Sequence, residues 1–252
     1  MTDRDAPDRY RSSFEIYFHD ADRTGHATLP AVCRYLQAAA MKHGRSTGTS
    51  IDHIASLNLT WVYSRFHVQM QSFPRYGEPI IVDTWRSRVE GPFAFREFSL
   101  MDGTEKLLGN ATASSALIDK ATRKLAAIPD VIRERFSLGR EHAVSFPFGN
   151  MPVMRDAEYR RMFPVRMSDI DVNGHVNHIS YLDWIIEGVP EEVLLSLRPY
   201  EVVVEYRAEA FYGQAVVSES ARLEGGRESA FIHRLLVESD GRETTRARTV
   251  WR

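Results

Sequence analysis

One stretch of this chain occurs twice. Residues 14–26 lie over residues 163–175 at a constant offset of 149. Phe14 falls on Phe163, Asp20 on Asp169, Asp22 on Asp171, Gly25 on Gly174 and His26 on His175. The segments that follow agree in type as well. Self-similarity at a fixed offset means that one structural unit is built twice. A chain of 252 residues has room for two small domains. Any fold assigned to it must therefore be satisfied by both halves.

The unit can be read from its periodicities. Phe14, Ile16 and Phe18 alternate with Glu15, Tyr17 and His19, and Phe163, Val165 and Met167 alternate in the same way. Period two predicts a strand with one buried face. A polar turn follows, Asp-x-Asp-x-(Thr/Asn)-Gly-His. Ile179, Leu182, Ile185, Ile186 and Val189 then recur at helical spacing, with Pro190 ending the run. In the first copy Pro30 suits an early helical position, Val32, Leu36 and Ala40 follow, and Gly44 is the expected end. Strands are expected over 60–71, 79–89, 93–101 and 107–118, and again over 201–209, 215–223, 230–239 and 244–251. Asp102-Gly103 and Asp240-Gly241 mark hairpin turns at matching places. Residues 139–158 contain Gly139, Pro147, Gly149 and Pro152 and read as a linker between units 1–138 and 159–252. One long helix against an antiparallel sheet of about five strands is an α+β layout, the hotdog. Two in one chain make a tandem, or double, hotdog.

Composition excludes several classes. Apolar residues make up 43% and charged residues 26%, which is globular rather than disordered. A net charge of −2 argues against nucleic acid as a partner. No apolar run is long enough to span a membrane, and the polar start shows no secretory signal. The single cysteine, Cys33, allows no internal disulfide and fits a reducing cytoplasm.

Four motifs fail on context. Gly44-Arg45-Ser46-Thr47-Gly48 matches a nucleophile elbow, which needs a preceding strand; here the preceding pattern is helical. Asp169-x-Asp171-x-Asn173-Gly174 opens like a calcium loop, but its twelfth position is Ser180 rather than Glu. His175 and His178 at i,i+3 suggest no third metal ligand. Cys33 lies within an apolar helix face and reads as a small core residue.

The turn from Asp171 to Asn177 is different. It gathers a carboxylate, an amide and an imidazole and then opens a helix. The backbone N–H groups at such a start suit an oxyanion, so Gly174, Val176 and Asn177 are candidate donors. Turn formation and capping use the same residue types. From the residues alone, catalysis and capping both stand.

The wider stretch 167–190 resembles the catalytic segment of the acyl-ACP thioesterases of plants and bacteria. In that family an Asp-x-Asn-x-His turn precedes a helix carrying Tyr-x-x-Trp and ending in Glu-x-x-Pro. Here these are Asp171, Asn173 and His175, then Tyr181 and Trp184, then Glu187 and Pro190. A second element, a strand of the form Glu-Tyr-Arg-x-Glu, stands as Glu205-Tyr206-Arg207-Ala208-Glu209. In the first half, residues 61–68 and Pro74-x-x-Gly77-Glu78 also resemble the family. Three positions depart. Ala210 stands where plant members carry Cys, which favours water over a thiol nucleophile. Gly174 replaces a frequent Gln, and His178 a frequent Asn.

The resemblance implies hydrolysis of a fatty acyl thioester on acyl carrier protein in fatty acid biosynthesis, with no metal or organic cofactor. Glu209 and His175 are expected to activate water, Asn173 to position water or thioester, and Asp171 to orient Asn173 or His175. The first half keeps Asp22 and His26 with Thr24 at the Asn place. His67 is aligned with Glu209, so this half reads as a degenerate site lining the acyl pocket. No plastid-transit extension is apparent, so a bacterial cytoplasmic enzyme is expected, with a homodimer left open. The acidic carrier is expected to meet arginines at 242–252 (Arg242, Arg246, Arg248, Arg252) and at 155–166 (Arg155, Arg160, Arg161, Arg166). Acyl-CoA hydrolysis, a hotdog hydratase or dehydratase, and a non-hydrolytic acyl-binding module remain the alternatives.

Overall fold

The computed structural model describes residues 9–134, 142–144, 151–223 and 229–252. Contacts divide the chain into two compact units, Met1–Phe146 and Pro147–Arg252. Much of the expected linker, including Gly139, Pro147 and Gly149, lies outside the described residues.

The N-terminal unit begins with β1 (Arg9–Glu15). It is followed by helix α1 (Leu29–Ser46), short helix α2 (Ile51–Ser56), then β2 (Leu59–Met70), β3 (Pro79–Glu90), β4 (Phe93–Asp102) and β5 (Leu107–Asp119). A two-residue β6 (Leu125–Ala126) pairs with β5, and a four-residue α3 (Asp130–Arg133) follows. The strands pair antiparallel in the order β1-β3-β4-β5-β2. Thr28 caps α1 by accepting from the Ala31 N–H, and Pro30 lies in the first turn, where a missing N–H costs nothing. The apolar face of α1, with Val32, Cys33, Leu36 and Ala39, is buried. Gly44 does not end the helix, which runs two residues further and closes on Thr47. On the other face of the sheet the Glu97 carboxylate is fully buried. It accepts from Ser87 (2.6 Å), Thr112 (2.5 Å) and the Ala143 N–H (2.8 Å), and it lies 2.9 Å from the His142 ring. It thereby pins residues 142–144 to the sheet.

The C-terminal unit repeats the plan with β7 (Tyr159–Pro164), α4 (His178–Ile186), α5 (Glu191–Ser196), β8 (Pro199–Tyr206), β9 (Ala215–Arg222), β10 (Ser229–Val237) and β11 (Glu243–Trp251). Its antiparallel order is β8-β11-β10-β9-β7. Each unit is a hotdog. The second helix is shorter than expected, at nine residues. It stops before Gly188, whose carbonyl accepts from Ser220 Oγ at 2.7 Å and where a Cβ would come within 2.3 Å of Ser218 Oγ. Val189, Val193, Phe231 and Trp251 then pack as one buried cluster.

The first strands are also shorter than their alternation suggests. In each copy the last apolar member leaves the strand on a 3-10 turn, so Phe18 is 80% and Met167 64% exposed. Asp20 and Asp169 are buried instead, because each carboxylate accepts from the backbone N–H three residues earlier, that of Tyr17 and of Arg166.

Candidate active site

The repeated turn is built by the same bonds in both units. The N–H of Asp171 donates to the carbonyl of His175 (3.0 Å) and that of Gly174 to the carbonyl of Asp171 (2.9 Å). Their counterparts, Asp22 to His26 and Gly25 to Asp22, measure 2.8 and 2.9 Å. Gly174 and Gly25 both sit near φ +80, where an L side chain is strained. Asp171 Oδ1 accepts the Asn173 N–H at 2.8 Å, and its Oδ2 lies 3.5 Å from the Asn177 side-chain amide. Asn177 caps α4 by accepting from the Ile179 N–H. Asp171 therefore orients the Asn173 backbone rather than the His175 ring.

The three expected oxyanion donors are engaged in the fold. The Gly174 N–H closes the turn, that of Val176 donates to Ala210 O (3.0 Å), and that of Asn177 to Asp169 O (2.8 Å). The same bonds recur at Gly25, Ala27 and Thr28. These amides serve the architecture of the turn, which corrects the assignment drawn from an opening helix.

His175 and Glu209 do come together. Nε2 of His175 lies 3.4 Å from Oε1 of Glu209, and both side chains are largely shielded, at 16% and 24% exposure. Nδ1 of His175 is 3.3 Å from the carbonyl of Val176. A carbonyl only accepts, so Nδ1 carries a hydrogen. In the neutral ring Nε2 then has none and faces the Glu209 carboxylate as an acceptor. Such a pair can take a proton from water and return it to a leaving group.

Glu209 is not on a strand, because β8 ends at Tyr206. Its position is set by contacts that the motif did not reveal. The N–H groups of Arg207 and Ala208 donate to Thr244 O at 2.8 and 3.2 Å. Arg242 Nη1 donates to Glu209 O, and the Ala210 N–H to Tyr181 Oη, both at 2.7 Å. Burial pushes the Tyr181 hydroxyl well above the usual phenol range, so it stays neutral. His178 departs from His175: its ring meets Tyr206 edge-on at 5.9 Å, and burial lowers its pKa to about 3.

The counterpart of Glu209 in the first unit is Phe73, not His67. Ala27 N–H donates to Pro74 O at 2.8 Å just as Val176 N–H donates to Ala210 O. The next matched pair, Ile16 to Glu78 and Val165 to Gln214, keeps the same register. His67 is a buried residue inside β2. Thr24 Oγ1 bonds Asp22 at 2.7 Å and lies 3.1 Å from His26 Nδ1, and Phe73 stands at the Glu209 position.

The other motifs resolve structurally. Ser46 ends helix α1 and donates to His43 O, as no elbow serine does. The Asp169 carboxylate is taken by Arg166, and Cys33 is fully buried. Arginines expected to meet a carrier protein already carry acids or other partners. Arg160 pairs with Glu219 (3.7 Å), Arg161 with Glu187 (3.4 Å), Arg246 with Glu243 (2.5 Å) and Arg248 with Glu201 (3.8 Å). Arg252 donates to Tyr200 Oη at 3.1 Å.

A histidine–carboxylate pair on one hotdog unit suits acid–base chemistry on a thioester, and comparison with known proteins gives the family. Residues 7–136 match the acyl-ACP thioesterase N-terminal domain and residues 154–252 the C-terminal domain. The chain belongs to the acyl-ACP thioesterase family. It is 26% identical to oleoyl-acyl carrier protein thioesterase 1 of Arabidopsis thaliana, over 96% of this chain and 76% of that protein. It is 30% identical to a palmitoyl-acyl carrier protein thioesterase of Cuphea hookeriana, over 96% and 62%. Among solved structures, the 12:0-ACP thioesterase of Umbellularia californica superposes with a TM-score of 0.88 at 27% identity, covering 100% of this chain and 98% of that one.

Proposed function

We propose that the chain hydrolyses fatty acyl thioesters of acyl carrier protein, with the chemistry on the C-terminal unit and acyl-chain binding assigned to the N-terminal unit. The observation that carries this is the His175–Glu209 contact, which sets an imidazole–carboxylate pair beside the Asn173 turn. Water gives its proton to the pair as its oxygen attacks the thioester carbonyl. The tetrahedral intermediate collapses with cleavage of the C–S bond, and the leaving thiolate takes the proton back. The Asn173 carboxamide is assigned to positioning water or the thioester, held by the bond from its backbone to Asp171. Ala210, directly after Glu209, has no nucleophile, which supports attack by water. The single buried cysteine supports a reducing compartment. A bacterial, cytoplasmic setting belongs to the same proposal, as does assembly of two copies.

The test is a panel of acyl-ACP substrates of graded chain length beside the matching acyl-CoA esters, assayed for free fatty acid and free thiol. Faster release from the carrier protein than from CoA is expected. Preference for CoA would move the carrier assignment. Consumption of an unsaturated or hydroxylated acyl chain without thiol release would favour a hydratase or dehydratase.

A further inference from the structure

Glu209 projects from a stretch without regular secondary structure, so something other than a strand must aim it. The Arg242 bond ends on the carbonyl of Glu209 and the Tyr181 bond on the N–H of Ala210. These two groups belong to one peptide unit. A peptide is planar, so holding its oxygen from one side and its nitrogen from the other fixes the axis between them and leaves only rotation about that axis. The adjoining Cα of Glu209, from which the side chain reaches His175, is restrained with it. The next carbonyl, Ala210 O, is tied to Val176 N, one residue from His175. We infer that Tyr181 and Arg242 form a clamp on the 209–210 peptide and are positioning residues for Glu209; this rests on the hydrolytic reading above.

The first unit supplies an independent comparison. The tie to the turn is kept there, from Ala27 N–H to Pro74 O. Every other part of the clamp is changed. Phe73 stands for Glu209, and Pro74 for Ala210, so the corresponding peptide has no N–H to donate. Val32, four residues after the capping Thr28, stands for Tyr181, four after the capping Asn177. Lys106 stands for Arg242: Leu108 O accepts from the N–H groups of Gln71 and Ser72 as Thr244 O accepts from those of Arg207 and Ala208, and Lys106 O closes its hairpin on Asp102 N–H as Arg242 O does on Val237 N–H. The carboxylate is missing together with the phenol and the N–H that hold it in the other unit, and a lysine replaces the guanidinium. The bond to the turn, which both units need for their fold, remains. That division separates an architectural contact from contacts that serve Glu209.

The test uses Tyr181→Phe and Arg242→Met in the full chain. Each deletes one end of the clamp with little change of volume. Each is expected to lower kcat for acyl-ACP by about tenfold or more, as misplacement of a reacting group does, with KM within about twofold. The double variant should fall little below the worse single one, because both act through one peptide. Arg242→Lys should restore part of the rate. Wild-type kcat in both single variants would overturn the clamp. Crystal structures of the variants give a readout independent of turnover. Glu209 displaced from His175 supports the inference, and an unchanged contact overturns it whether or not the wild-type chain hydrolyses acyl-ACP. A wild-type chain that releases no fatty acid sinks the hydrolytic reading alone.

Discussion

Nε2 of His175 faces Oε1 of Glu209 at 3.4 Å, while in the other unit Phe73 occupies the place of that carboxylate. The asymmetry assigns the chemistry to one half. His175→Ala, Glu209→Ala and Asn173→Ala are each expected to lower kcat by about two orders of magnitude or more, the scale for losing an acid–base or polarising group. His26→Ala should keep most activity. Steady-state hydrolysis of acyl-ACP by the four variants decides this; equal damage at His26 and His175 would reverse the assignment of halves.

Cys33 is buried in α1 and lies in the other unit from the His175 turn. Cys33→Ser is expected to hydrolyse acyl thioesters at a near-normal rate, and iodoacetamide should not inactivate the native protein. Loss of activity in a variant whose circular dichroism is unchanged would revive a thiol mechanism.

Stability should fall on mild acidification. His233 is buried with Nε2 2.8 Å from Thr249 Oγ1, and burial lowers its pKa from 6.5 to about 3; His178 is lowered to about 3 for the same reason. Between those values the unfolded chain binds protons that the folded chain refuses. The stability contributed by the neutral rings is therefore complete above about pH 6.5 and is lost as pH drops toward 3. Urea midpoints measured from pH 7 down to pH 4.5 should decline, and His233→Gln should make the decline shallower. An unchanged slope in that variant would show that other groups control the acid limb.

Arginines on the candidate docking segments are partly offset by neighbours such as Glu187, Glu219 and Glu243, the last two shared with Arg234 and Arg207. Long-range steering of an acidic carrier by these segments should therefore be weak. KM for acyl-ACP is expected to change only about twofold as the Debye length shrinks from ~10 Å at 0.1 M salt to ~3 Å at 1 M. Arg161→Glu should have a similarly small effect. Parallel salt titrations with acyl-ACP and a small acyl thioester provide the check; a steep rise confined to acyl-ACP would mean that the pairs open on docking.

The repeat, the alternating strands, the Asp102 and Asp240 hairpins and the Asp-x-Asn-Gly-His turn are all legible in the amino-acid sequence. Each rests on a local rule: period two for a half-buried strand, glycine at φ near +80, an Asn or Thr able to cap a helix. Family likeness added the candidate pair His175 and Glu209. What lies across space from a residue has no such local signature. Equating His67 with Glu209 needed a register between units, and register is set by which distant backbone groups pair; the Ala27–Pro74 and Val176–Ala210 bonds select Phe73 instead. The amides at Gly174, Val176 and Asn177 looked available because a helix start leaves donors over, yet the folded chain brings acceptors from Asp171, Ala210 and Asp169 onto them. Tyr181 and Arg242 meet the Glu209–Ala210 peptide from helix and hairpin, 29 and 33 residues away in the chain. The local sequence thus determined which elements form and which groups can do chemistry. Tertiary packing alone decided that Val176 is tied to Ala210 and what holds Glu209 toward His175, because those facts depend on partners far away along the chain.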